Sequence, residues 1–245
     1  MPGLPPLATI ISIIQHRDIV SYFNIVASTA FIYDFCLTFG MEVDQIWSAQ
    51  WTPLKVAYLL QRYLPFVDTV GISIYHGSAP GLTPAYCRSN YYATIFIDMI
   101  SMIGLSELIL TFRTWAVWRR DPKLGIALGV IFALFFGSTL TFGALFLRSM
   151  TFGVLPIPNF SGCLITGANN LLSGGWVLLM AYDLWMLILM AIPAVRSYRQ
   201  GGHNHLLRVV YRDGIVYYIY LFGFSTANAV LNLALPKDLS FVLTP

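Results

Sequence analysis

Six ionisable side chains, Asp34, Arg62, Asp68, Asp98, Glu107 and Asp183, fall within long apolar runs of this chain. At the centre of a membrane helix such a group costs about 2.5–3.5 kcal/mol on insertion scales, so it normally faces other helices and finds partners there. Arg62 is the one base in the set. A guanidinium beside a carboxylate forms a charge-assisted pair that offsets much of that cost. Two chemistries are open to such a cluster: adhesion between helices, or exchange of a proton or ion. A second polar set, Tyr218, Ser225, Asn228 and Asn232, forms one helical stripe, because three of its members are seven residues apart. It would either line a cavity or supply hydrogen bonds between helices.

The elements that must position these groups are six apolar stretches near Ile19–Phe39, Val56–Ile74, Tyr91–Phe112, Leu124–Leu147, Leu171–Val195 and Ile215–Leu235. Each approaches the roughly 20 residues that a helix needs to cross a hydrocarbon core of about 30 Å. Hydrocarbon offers the backbone no hydrogen-bond partner, so each stretch must be a helix. Composition agrees: 57% of residues are apolar and only 10% are charged, against about 25% charged in soluble domains. Mean hydropathy is +0.70. The sequence therefore predicts an all-α, polytopic transmembrane bundle of six spans, with residues 1–245 as a single membrane domain and the lipid bilayer as its first partner.

Depth along the spans predicts which groups meet. Asp34 lies five residues before Phe39, Arg62 seven after Lys55, and Glu107 five before Phe112. At about 1.5 Å per residue these lie within one turn of the same depth, in the inner half of the membrane. An Asp34–Arg62–Glu107 cluster is expected there. Asp68 and Asp98 form a second level with no base. Together with Asp183, Asn228 and Asn232 they are the candidates for a small-molecule cavity. Asp98 and Glu107 are nine residues apart, about 900° of α-helix, which sets them on opposite faces.

Orientation follows from Lys and Arg. With the N-terminus outside, nine basic residues fall on the cytoplasmic side and four outside. Asn159, in the sequon Asn159-Phe160-Ser161, then lies in an outer loop and is a candidate glycosylation site. Cys87 and Cys163 also fall in outer loops, where an oxidising compartment permits a disulfide; the alternative is three unrelated cysteines. Cys36, inside the first span, is expected to be a buried thiol. Met1–Gln15 lacks the basic start of a cleaved leader, so the first span is expected to act as an uncleaved signal anchor. A net charge of +3 gives no basis for a nucleic-acid partner. No nucleophile elbow, phosphate loop, dinucleotide fingerprint or zinc-binding helix is legible. The expectation is a non-enzyme without cofactor or metal.

Tyr33-Asp34, Glu42, Ile46-Trp47, Lys55 and Arg62-Tyr63 follow one another in a pattern that resembles a family of mostly basidiomycete fungal integral membrane proteins. Its N-terminal domain of unknown function is catalogued as six-five-three-three, and the likeness covers about residues 20–75. Arg212-Asp213-Gly214 resembles a second feature of that family, and the placement of Cys87 and Cys163 fits it. The resemblance implies a seven-helix, receptor-like layout with no established activity. It marks Tyr33, Asp34, Glu42, Trp47, Arg62 and Tyr63 as characteristic positions. Here the chain ends at Pro245 after the sixth stretch, so the last helix of that layout is missing.

The functional expectation is a receptor- or sensor-like protein of the plasma membrane or a secretory-pathway membrane, N-terminus outside. It would bind a small molecule from outside and offer the Arg196–Arg212 loop to a cytosolic protein. The alternative is a proton- or ion-linked small-molecule transporter working through Asp34, Arg62 and Glu107.

Overall fold

Apolar runs that can satisfy their backbone only from within are helical in the structure, a computed structural model that describes residues 7–67, 83–153, 164–167, 169, 171–199 and 205–234. Helix α1 (Leu7–Glu42) runs into a wide π-helical turn, Val43–Trp47, and α2 (Pro53–Pro65) follows. Next come α3 (Pro84–Asp98), a second π-helical segment (Met99–Leu105), α4 (Ser106–Val117), α5 (Pro122–Ser149), α6 (Leu171–Arg199) and α7 (His205–Ala234). A two-stranded ribbon pairs Thr151–Gly153 with Leu164–Gly167.

Local chemistry sets the helix starts. Thr52 Oγ1 accepts from the Lys55 amide at 3.2 Å ahead of Pro53, and Asp121 Oδ1 accepts from the Lys123 amide at 2.9 Å ahead of Pro122. In both cases a proline takes the first helical position, where a missing N–H costs nothing. Between α4 and α5, Arg119 and Arg120 take φ of 55° and 56°, a left-handed turn uncommon for residues with side chains. Trp115 Nε1 secures it by donating to the Asp121 carbonyl at 2.8 Å.

Among the described residues, four helical segments are long and apolar enough to cross a membrane: Ile25–Trp47, Ala85–Val117, Pro122–Ser149 and Leu171–Arg196. The protein is thus a helical, multi-pass membrane protein. In α7 the side chains are described only over Ile215–Val230, within the expected Ile215–Leu235 stretch, and the stretch from Val56 to Ile74 is described only to Val67. Asp68, Asn159 and Cys163 lie outside the described residues, as do the side chains of Asn232, Arg212, Asp213 and Gly214, the last four all within α7.

Three expectations change. The 900° count between Asp98 and Glu107 assumed α-helix, but Met99–Leu105 is π-helical, with i→i+5 bonding and a different turn per residue, so opposite faces do not follow. Cys36 is exposed on α1 rather than buried. The expected Arg196–Arg212 loop is largely helix, because α6 reaches Arg199 and α7 starts at His205.

The chain divides into two compact units. One comprises Met1–Ile97, Phe152–Leu164 and Leu235–Pro245; the other comprises Asp98–Thr151 and Ile165–Ala234. In the second unit α6 packs on α5 and α7, and α4 packs on α5 and α6. Its core combines Leu110, Leu128, Phe135, Leu179, Met186, Leu189, Met190 and two tyrosines, Tyr182 and Tyr218. On α4 the buried positions Glu107, Leu110, Thr111 and Thr114 follow the 3–4 spacing of one helix face. The Phe135 and Tyr182 rings stack 4.2 Å apart at 15°. Gly104 lets the π-helical segment approach α5: a Cβ there would stand 2.6 Å from Phe136 Cε2.

Gly104→Ala therefore forces the Phe136 ring aside and should cost about 1–3 kcal/mol. Thermal denaturation in detergent reads this as a lowered Tm. Gly129→Ala, with nothing within 4 Å of the new methyl, should leave Tm unchanged or raise it.

Candidate functional site

Each unit holds one concentration of polar chemistry. In the first, α1 and α2 form a hairpin closed by an ionic clasp. The Glu42 side chain is 1% exposed and ion-pairs with Arg62, which is 13% exposed. Glu42 Oε1 also accepts from Trp47 Nε1 at 3.1 Å and from the Tyr63 hydroxyl at 3.1 Å. Arg62 Nη2 donates to Thr38 Oγ1 at 2.7 Å and to the Phe35 carbonyl at 3.3 Å, and the guanidinium lies 4.8 Å from the Phe35 ring centre. Phe35 packs edge-on against Tyr63 and Phe66. Lys55 Nζ closes the turn itself, donating to the carbonyls of Ala49 at 2.7 Å and Trp47 at 3.1 Å.

The clasp corrects the expected Asp34–Arg62–Glu107 cluster. Helix α1 does not stop at Phe39. It continues through Glu42 into the π-helical turn, and that extension brings the Glu42 carboxylate to Arg62. Asp34 is exposed, and its backbone carbonyl accepts from Thr38 Oγ1 at 2.8 Å. Thr38, one turn further along, takes the position expected of Asp34. Tyr33 is also exposed. Of the pattern residues, Glu42, Trp47, Arg62 and Tyr63 converge and Tyr33 and Asp34 do not.

In the second unit the buried residues form a polar ladder across three helices. Thr111 Oγ1 donates to the Glu107 carbonyl at 2.6 Å and lies 2.7 Å from the Tyr182 hydroxyl. The Tyr218 hydroxyl donates to the Leu110 carbonyl at 2.9 Å and lies 2.9 Å from Thr114 Oγ1. Trp118 Nε1 donates to the Leu189 carbonyl at 3.0 Å. Ser225 Oγ donates to Asp183 Oδ2 at 2.5 Å. The Glu107 and Asp183 side chains, on residues 4% and 2% exposed, lie close enough in this core for each carboxyl to act on the other.

This arrangement redistributes the expected cavity set. Asp183 meets Glu107 and Ser225 within the packed core. Asp98 is half-buried at the end of α3. Asn228 Nδ2 donates to the Phe224 carbonyl one turn back, at 3.1 Å. The Tyr218–Ser225 stripe faces helices, as interhelical hydrogen bonding requires. Sequence reasoning missed Thr111 and Thr114 as partners of Tyr182 and Tyr218, and Ser225 as the partner of Asp183. The available signal was the 4- and 7-residue spacing of Thr111 and Thr114 from Glu107.

The fold and these sites define a multi-pass helical membrane protein held together by buried polar contacts. Residues 22–67, under a fifth of the chain, match the model of a family of unknown function, DUF6533. That segment contains the whole clasp. No curated protein and no solved structure matches the chain.

Every oxygen of Glu42 is engaged, so the clasp is expected to work as an adhesive. Glu42→Ala strands a mostly buried guanidinium and should destabilise by about 3–5 kcal/mol. The double variant Glu42→Leu with Arg62→Leu should recover most of that loss. Melting temperatures of the three proteins in one detergent check both statements.

Proposed function

We propose that this is a non-enzymatic, receptor- or sensor-like protein with six crossings and its N-terminus outside, in the plasma membrane or a secretory-pathway membrane. The observation that carries the reading is the ladder joining α4 to α6 and α7. Its contacts are discrete: Thr111 with Tyr182, Thr114 with Tyr218, Trp118 with the Leu189 carbonyl, and Glu107 with Asp183 and so with Ser225. Rungs on one short helix must break and re-form together when that helix shifts, which favours two arrangements over a continuum. A small molecule binding one arrangement better than the other would then shift the balance. Asp98 and Asn228 remain the described members of the expected ligand set. The ends of α6 and α7 around Arg199 and His205 are the proposed cytosolic contact.

Two further features belong to this reading. A Cys87–Cys163 disulfide would tie the outer surface together; Cys87 is buried, whereas Cys36 is an exposed free thiol. Glycosylation of Asn159 would follow from the same orientation, and fungal origin from the sequence resemblance. The second reading, a proton-linked transporter, draws on the buried Glu107–Asp183 pair, since such carriers need a membrane carboxyl that exchanges protons.

The chain reconstituted in sealed vesicles distinguishes the two. A receptor should give saturable ligand-induced stabilisation in a small-molecule thermal-shift screen, with no accumulation of the ligand inside the vesicles. Net uptake against an imposed pH gradient would replace this reading with the carrier. On non-reducing gels, Cys87→Ser and Cys163→Ser should each abolish the mobility change that reduction causes in the unmodified chain.

A further inference from the structure

Counting hydrogens around Glu107 and Asp183 shows one to be unaccounted for. The Ser225 hydroxyl hydrogen goes to Asp183 Oδ2. The Thr111 hydrogen goes to the Glu107 carbonyl, so the contact with Tyr182 is made by the tyrosine's hydrogen. The Tyr218 hydrogen goes to the Leu110 carbonyl, so Thr114 donates to Tyr218. Each of these five hydroxyls is therefore committed. Glu107 Oε2 and Asp183 Oδ1 are buried and receive no hydrogen bond from any protein donor. Neither carboxyl has an ion pair among the described residues, whose one salt bridge joins Arg62 to Glu42. Yet the two carboxyls lie close enough for each to act on the other. Two ionised carboxylates side by side are acceptors only, so the contact needs a hydrogen that none of the described donors supplies.

We propose that Glu107 and Asp183 form a proton-binding site, with one exchangeable proton shared between the two carboxyl groups and setting how closely α4 packs on α6. The ionisable groups facing it are Tyr182 on α6 and Tyr218 on α7, both committed to the ladder, and Arg113 lies six residues further along α4. Helix α5 has no ionisable residue between Lys123 and Arg148, and the π-helical segment Met99–Leu105 has none. Among the described residues, then, no cation stands in place of the proton. With the proton bound, one net charge remains, and Ser225 donates to it. Without it, two negative charges stand in hydrogen-bond range where water is scarce, and their repulsion separates α4 from α6. The Thr111–Tyr182 contact, one turn from Glu107 on α4 and next to Asp183 on α6, then opens as well. As a regulatory device this rests on the sensor-like reading above. As a binding site it does not, and the two can fail separately.

The sign follows from linkage. The packed form holds a proton that the loosened form releases, so stability is full at low pH and falls as pH rises through that release. The test uses the full chain in nanodiscs of neutral lipid, followed by infrared spectroscopy and thermal denaturation across a pH series. The expected result is a protonated-carboxyl C=O band that shifts in D2O and disappears as pH rises, with Tm falling over the same interval. In Glu107→Gln an amide N–H replaces the shared proton, so the band should vanish and the Tm step should flatten. Asp183→Asn should do the same.

A wild-type chain with no such band overturns the proposal. So does a band whose titration is unchanged in both variants, and so does a band displaced by sodium at constant pH, which would make this a metal-ion site. If neither variant folds, the wild-type band and its deuterium shift still decide. A titrating band in a chain for which no ligand is found would sink the receptor reading and leave the proton site standing.

Discussion

Lipid tails are as apolar as leucine, so burying apolar side chains between membrane helices gains little over leaving them in the bilayer. That constraint governs the molecule. Tyr22, Phe23, Val26, Leu37 and Met41 on α1, and Ile126, Val130 and Leu134 on α5, are all exposed, and in a bilayer this carries no penalty. What selects one arrangement must come from close packing and from polar groups that find partners nowhere else. Single interhelical hydrogen bonds are modest, on the order of 0.6 kcal/mol each. Their value lies in geometry: Thr114 reaches Tyr218, and Thr111 reaches Tyr182, in only one register of α4.

The hairpin of the first unit meets the same constraint with charge. Burying Glu42 and Arg62 is costly, and the pair is tolerable because each charge has several partners. Trp47 and Tyr63 converge on one oxygen of Glu42 while Arg62 takes the other. Thr38 and the Phe35 carbonyl take the outer edge of Arg62. Such a network is weak evidence for stability but good evidence for specificity, since any other register of α2 against α1 would strand a charge. The π-helical turn matters because it carries α1 past its apolar end while leaving Lys55 to cap the freed carbonyls of Trp47 and Ala49. The family match at residues 22–67 takes in every residue of this clasp.

Much of the helical content was legible, and the site was legible only in its members. Arg62, Glu107 and Asp183 stood out because charged residues are scarce in apolar runs. Their pairing did not follow, for two local reasons. Depth was counted from the end of the apolar run at Phe39, whereas α1 continues to Glu42. Phase was counted at 100° per residue, whereas Met99–Leu105 is π-helical. Both are backbone choices with no strong composition signal. Threonine and serine were hard to weigh, because they are common in membrane helices and mostly bond to their own preceding turn, as Thr29, Ser138 and Thr141 do here.

By itself the sequence determined the solvent and therefore the backbone: long runs without charge, in a medium offering no hydrogen bonds, can only be helices. It also determined which side chains would need partners, because an intramembrane carboxyl or guanidinium cannot stand alone. Tertiary structure alone decided who the partners are. Glu42 rather than Asp34 meets Arg62, and Asp183 rather than Arg62 meets Glu107. The physical reason is that pairing depends on where a helix ends and how far it turns per residue, and a shift of a few residues in either exchanges one neighbour for another.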